Sequence, residues 1–389
     1  MNASRTHRPS ILNFSKCFMI VAGIWRFPLH DPLKIYPYYS AIVQSYFVII
    51  CISLAARFAL TLASGVSNKS SEEMFKQASY IITVIIVEYA AILYQSGPLK
   101  RILSYIMEEE RQMLQCTDPE VSRNHFEQLG FCRKSNFIMF IFTCGSGASI
   151  ALENVWRQLQ VHKYNARFNT TLPRPLPLEL SYGGWDEEKH FALLLIAHDV
   201  WVVISMFLIV STKTIVFSCV IFVPSILKRL RVKLGKLAES GLRDLVREHQ
   251  DVIGFVERLN NSLKYLVLLE YILNSLNVAT VSVQFITYDP KMLPAPAFYF
   301  SFLIAQIFIL GWSANEIREQ SLALSDALYD SLWYEQSETV RKVLLAMMVR
   351  AQKPLALTIG PFEPMTTQSA VTVIKASYSY VTVMMNSYE

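Results

Sequence analysis

Seven stretches of this chain are apolar over enough length to cross a membrane, and that feature limits its fold more than any other. A helix needs about 20 mainly apolar residues to cross roughly 30 Å of hydrocarbon. Residues 38–63, 75–94, 136–152, 190–210, 263–286, 296–314 and 366–385 meet that demand. The fourth pattern continues to Val223, too long for one perpendicular crossing, and predicts a helix that projects beyond the bilayer. Composition agrees, because 17% of the 389 residues are charged, against about a quarter in a soluble domain. The expected fold is an all-α membrane protein with seven transmembrane helices.

Basic residues orient the spans, since Lys and Arg accumulate on the cytosolic side. Of 36 such residues, 24 fall in the N-terminal segment or in the segments that follow spans two, four and six. Only Lys69, Arg157, Lys163, Arg167, Arg174, Lys189 and Lys291 fall in the alternate loops. The N-terminus is therefore expected in the cytosol and the C-terminus outside. On that topology the outer loops carry the glycosylation acceptors Asn68-Lys69-Ser70 and Asn169-Thr170-Thr171, so a glycoprotein is expected. Asn2, Asn13 and Asn260 begin similar tripeptides on the inner side. Cys17, Cys116 and Cys132 fall inside, and Cys51, Cys144 and Cys219 fall in or beside spans, so no extracellular disulfide is expected. The N-terminal segment has a short apolar patch without a small-residue cleavage site, so the first span is expected to act as its own insertion signal.

Several function classes find no support. A G-protein-coupled receptor would have the opposite orientation, an extracellular disulfide and Asp-Arg-Tyr and Asn-Pro-x-x-Tyr motifs, and none of these is present. No Gly-x-Ser-x-Gly, phosphate loop or His/Cys cluster occurs, so neither an enzyme, a cofactor nor a metal site is expected. Gly145-Ser146-Gly147 lies in the third span, where close helix packing accounts for it. The basic inner loops reflect topology and imply no nucleic acid.

The inner segments 95–134 and 224–262 contain little Gly or Pro and read as helices that extend the spans. In 315–353, Ile317, Leu324, Leu328 and Leu332, then Val340, Leu344, Met347 and Met348, form an apolar stripe at helical spacing. Such a stripe demands a helical partner, either within this chain or in a neighbouring subunit. The C-terminal region also resembles a known family. Gly311 with Asn315-Glu316; Asp326-Ala327-Leu328-Tyr329 with Trp333-Tyr334; Thr358-Ile359-Gly360 before Phe362; and Lys375-Ala376-Ser377-Tyr378-Ser379-Tyr380 resemble the C-terminal signature of insect odorant receptors. The preceding residues match that family in topology, length and span order.

The resemblance implies an odorant-gated, non-selective cation channel in the plasma membrane of olfactory sensory dendrites. It implies a heterotetramer of a ligand-tuning subunit and a shared co-receptor, surrounded by lipid and passing monovalent and divalent cations. The short loop between spans four and five favours the tuning subunit. Residues 1–314 would then form the ligand-binding domain, 315–365 the assembly anchor and 366–389 the pore helix. Gustatory receptors share this architecture and are the neighbouring alternative.

In a four-fold channel each subunit gives one helix to the pore, and that helix needs a wet and a dry face. Ser369, Thr372, Ala376, Ser379, Thr382, Val383 and Asn386 form a small or polar stripe. Val371, Ile374, Tyr378, Val381 and Met385 form a bulky one. The family pattern places Val383 at the apolar constriction, which can block ions by dewetting, and Asn386 one turn outward. Small polar residues also glue membrane helices together, the competing account of the same stripe. The expected pore residues are Ser379, Thr382, Val383 and Asn386.

The resemblance places the ligand pocket in the outer half of the membrane, between spans two, three, four and six, with a share from five. A small, volatile, mostly apolar ligand suits a closed pocket of aromatic and aliphatic side chains. The corresponding residues are Tyr80, Thr83, Val84 and Val87; Ser149, Leu152 and Trp156; His198, Trp201, Val202 and Met206; and Gln284, Phe298 and Phe302. Of the ionisable residues within spans, Glu88, Asp199 and Glu270 are expected either to pair with a base across helices or to face a water-filled vestibule. A proton-coupled transporter would use similar groups, but this chain shows no internal repeat or broken helix pair.

Overall fold

The computed structural model describes residues 10–25, 35–63, 71–116, 118–176, 188–235, 241–287 and 293–386. These form ten helices and one short antiparallel strand pair. The helices are α1 (Asn13–Val21), α2 (Tyr36–Ala63), α3 (Ser71–Gln95), α4 (Gly97–Gln115), α5 (Pro119–Phe168), α6 (Phe191–Gly235), α7 (Leu242–Thr287), α8 (Pro294–Asp330), α9 (Glu338–Ala351) and α10 (Thr367–Asn386). Between α9 and α10, β1 (Thr358–Ile359) pairs with β2 (Glu363–Pro364). In lipid every backbone polar group must bond within its own segment, which is why apolar runs of this length are helices.

Among the described residues, five helices are long and apolar enough to span a membrane: α2, α5, α6, α7 and α8. The other two expected spans fall on α3, which includes the apolar run Thr83–Gln95, and on α10. With 50 residues at about 1.5 Å each, α5 is roughly 75 Å long, more than twice the hydrocarbon thickness. As expected, α6 continues well past Val223, ending at Gly235. Helix breaks separate α3 from α4 at Ser96 and α4 from α5 near Asp118, where Pro119 opens the next helix and Asp118 caps it.

The apolar stripe of 315–353 finds its partner within the same chain. Leu324 and Leu328 of α8 pack with Val340, Leu344, Met347 and Met348 of α9, against Leu230 and Leu234 of α6 and Leu245 of α7. Ile317 joins the larger core, while Leu332 remains exposed, as do Leu345 and Val349 on the opposite side of α9.

Two joints tie distant segments to this frame. The N-terminal segment docks on Glu110 of α4, which accepts hydrogen bonds from Ser10 Oγ at 2.5 Å and the Ile11 amide at 2.8 Å. His125 Nε2 of α5 lies 3.4 Å from the same carboxylate, and α1 then packs along α6 with Ser15 Oγ 3.1 Å from Ser218 Oγ. The second joint fixes the start of α10. Asn260 Oδ1 of α7 accepts from the amide and the hydroxyl of Thr358, and the Gly360 amide donates to the Lys264 carbonyl at 2.9 Å. Gly360 turns with φ +58°, a conformation few side chains tolerate. Thr366 and Ser369 then exchange amide-to-hydroxyl bonds across the first turn of α10, an N-terminal cap.

Candidate functional site

The expected pocket residues come from α3, α5, α6, α7 and α8, and three of them meet at two glycines of α5. A Cβ added at Gly145 would lie 2.7 Å from Cδ1 of Phe298 on α8. One added at Gly147 would collide with Sδ of Met206 on α6. Each bulky side chain therefore enters α5 where that helix has none of its own. Ser149 stands one turn further on and donates its hydroxyl to the Gly145 carbonyl at 2.7 Å. That bond spends the proton on the helix and leaves the oxygen lone pairs for another partner.

The remaining α6 residues extend this wall. His198, Trp201, Val202 and Met206 follow helical spacing, with His198 and Trp201 buried and the other two half-buried. Trp201 stacks on Phe47 of α2 with centroids 5.8 Å apart and planes 10° from parallel. Val87 of α3 and Phe302 of α8 are buried in the same continuous core, with Thr83 and Val84 half-buried. Trp156 is half-buried on α5, whereas Leu152 is 70% exposed on the outside of the bundle and Phe298 is 42% exposed. The side chains of Tyr80 and Gln284 lie outside the described residues. Reasoning from sequence had not included Phe47, because no expected pocket wall came from the first span. Nor had it included Tyr46, whose hydroxyl donates to the Ala197 carbonyl beside His198 at 2.5 Å. No cluster of metal-binding side chains occurs among the described residues.

The last helix presents three faces. Ala370 and Ser377 are fully buried and Val373 half-buried, so α10 docks on the bundle through small residues at helical spacing. At its start, α8 offers Gly311, where a Cβ would lie 3.0 Å from the Thr366 carbonyl and 3.3 Å from Ala370 Cβ. Outside that dock, Thr372, Ser379 and Thr382 of the polar stripe are exposed, while Ser369 is buried at the cap. On the bulky side Tyr378 is 74% exposed. Thr372 and Thr382 donate their hydroxyl protons to the carbonyls of Gln368 and Tyr378, each at 3.1 Å, so their outward capacity is acceptor only. The side chains of Val383 and Asn386 lie outside the described residues.

This architecture has solved counterparts. The insect olfactory receptor OR5 from Machilis hrabei in complex with eugenol matches with a TM-score of 0.80, covering 97% of each chain at 19% identity. The same receptor in a second structure matches with a TM-score of 0.76 at 17% identity, covering 96% of this chain and 97% of that one. In sequence, Odorant receptor 10 of Aedes albopictus is 32% identical over 155 residues, 40% of this chain and 41% of that protein. Odorant receptor Or2 of Anopheles gambiae is 28% identical over 190 residues, 44% and 50% respectively. The matched stretches thus span half or less of these relatives. A family model described as the 7tm odorant receptor covers residues 70–378. The chain is a multi-pass membrane protein that belongs to the insect odorant receptor family.

Proposed function

We propose that this chain is the ligand-tuning subunit of an odorant-gated, non-selective cation channel. It assembles with a shared co-receptor into a tetramer in the plasma membrane of olfactory sensory neurons, with its N-terminus in the cytosol. The observation that carries this reading is the geometry of α10. That helix docks through small residues and leaves its hydroxyl-bearing face open, with acceptor lone pairs suited to cations. A helix that served only as packing would bury its polar face against neighbours. The exposed Tyr378, Leu345 and Val349 supply apolar contact for neighbouring subunits, so residues 315–365 act as the anchor and 366–389 as the pore element. Val383 forms the apolar constriction and Asn386 the polar ring outside it.

The ligand is a small, volatile, mostly apolar molecule held between α3, α5, α6 and α8, where Met206, Phe298 and Ser149 converge and Trp201, His198 and Val87 close the wall. Burial of apolar surface, at about 25 cal/mol per Å², supplies most of its affinity, and the hydroxyl of Ser149 supplies selectivity. The fold counterpart solved with eugenol supports a ligand of this class. The outward topology also agrees with Asn169 and Thr171, both exposed at the end of α5 and available for glycosylation.

Recording from cells that express the chain with and without a co-receptor, against a panel of volatiles, tests the proposal. Fast cation currents that need both subunits and no GTP are expected. Currents that depend on G proteins would reject it.

A further inference from the structure

We propose that a second site, a cleft between α5, α6 and α8 at the basic end of the bundle, binds an organic monocation. The cleft is open on one side and offers about 210 Å³, room for a headgroup-sized ligand. Its floor is Ile221 and Pro224 of α6, both buried, and Pro224 offers no N–H to the carbonyl of Val220. Its walls carry two exposed aromatic side chains and two carboxylates. Trp312 of α8 is 60% exposed and Phe131 of α5 is also exposed.

The charges do not cancel. Glu316 of α8 lies 3.4 Å from Lys228 Nζ and accepts from Gln320 Nε2 at 3.0 Å, so its charge is matched. Glu127 of α5 is exposed and forms no ion pair among the described residues. The cleft therefore holds one unmatched negative charge beside two aromatic rings. A neutral odorant has no use for the carboxylate. A substituted ammonium satisfies both features, its charge on Glu127 and its alkyl groups over Trp312 and Phe131. The site is separate from the odorant wall, since Phe131 and Gly145 stand 14 residues, or about 21 Å, apart along α5.

The test is equilibrium binding of benzyltrimethylammonium to the full-length chain in phosphatidylglycerol nanodiscs, which contain no ammonium headgroup. Saturable binding is expected, weakened about 3- to 10-fold by Glu127→Gln and by Trp312→Ala. Glu257→Gln, at an exposed carboxylate on α7, leaves it unchanged. In phosphatidylcholine nanodiscs, unchanged affinity identifies a soluble cation as the occupant, and weakened affinity identifies the lipid headgroup; both support the proposal. Absence of saturation by about 10 mM, or binding that survives both substitutions with normal size-exclusion profiles, overturns it. Because the readout is binding and not current, failure here leaves the channel reading intact.

Discussion

Lys213 of α6 and Glu270 of α7 form an ion pair at 2.8 Å, with side chains only 12% and 8% exposed. Each charge alone would be costly in this apolar packing, and together they satisfy one another. The expected pairing of Glu270 with a base across helices is thus found. Removing one partner of such a pair costs about 3–5 kcal/mol, whereas replacing both with apolar groups is close to neutral. Glu270→Gln is therefore expected to lower the thermal midpoint and surface abundance sharply, and Lys213→Met with Glu270→Met to restore much of both. A double variant as unstable as the sum of the singles would show that the pair has no coupling.

The glycines of α5 give a test of the proposed odorant wall. Gly147→Ala pushes against the flexible end of Met206, which can move, so the fold is expected to survive while the odorant spectrum shifts. Adding Met206→Ala returns space to the same spot and is expected to restore part of the original spectrum. Gly145→Ala meets the stiffer Phe298 ring and is expected to retune more strongly. Dose–response curves over a volatile panel, normalised to surface expression, read the outcome. Identical spectra for all three would remove this wall from the binding site.

His249, on the part of α7 beyond the expected span, gives a pH dependence. Burial, with help from the Arg350 charge, lowers its pKa from 6.5 to about 4. A histidine with a depressed folded-state pKa stabilises the fold as the neutral ring. Its contribution is complete above about pH 6.5 and is lost as pH falls toward 4, to at most about 3 kcal/mol. Between pH 7.5 and 5 the thermal midpoint should fall further for the wild type than for His249→Gln. Parallel pH profiles would show that this ring does not titrate with unfolding.

Much of the fold was legible because a bilayer turns apolar length directly into helices. The overlong α6 and the buried Leu324–Met348 stripe follow from periodicity alone. The two joints were not legible. Glu110 bonds the Ile11 amide across 99 residues and Asn260 bonds Thr358 across 98, and no local pattern marks either carboxylate or amide for such a partner. The candidate wall was readable only in part. The family resemblance grouped His198, Trp201, Val202 and Met206, but neither it nor helical spacing shows that Leu152 is exposed, since a span surrounded by lipid and protein is apolar on every side.

Gly360→Ala tests whether the hairpin sets the position of α10. The substitution adds left-handed strain and puts a Cβ 2.8 Å from Cδ2 of Leu268 on α7, costing about 1–3 kcal/mol. The expected result is weaker assembly or weaker gating with odorant binding retained. Normal currents would mean that the Asn260 bonds suffice to hold the turn.

The faces of α10 separate conduction from assembly. Ser379→Val with Thr382→Val removes exposed oxygen acceptors, so unitary conductance is expected to fall while surface assembly persists. Tyr378→Ala trims the exposed bulky face and is expected to reduce the amount of assembled channel at unchanged unitary conductance. Val383→Ser would wet the proposed constriction and raise resting current. In the proposed heteromer, co-receptor subunits would share the pore, so each effect should scale with subunit ratio, and varying that ratio in single-channel recordings gives a built-in control. If the polar-face variant kept full conductance at every ratio, the hydroxyls would not face the ions, and the small-residue glue account of this helix would stand in its place.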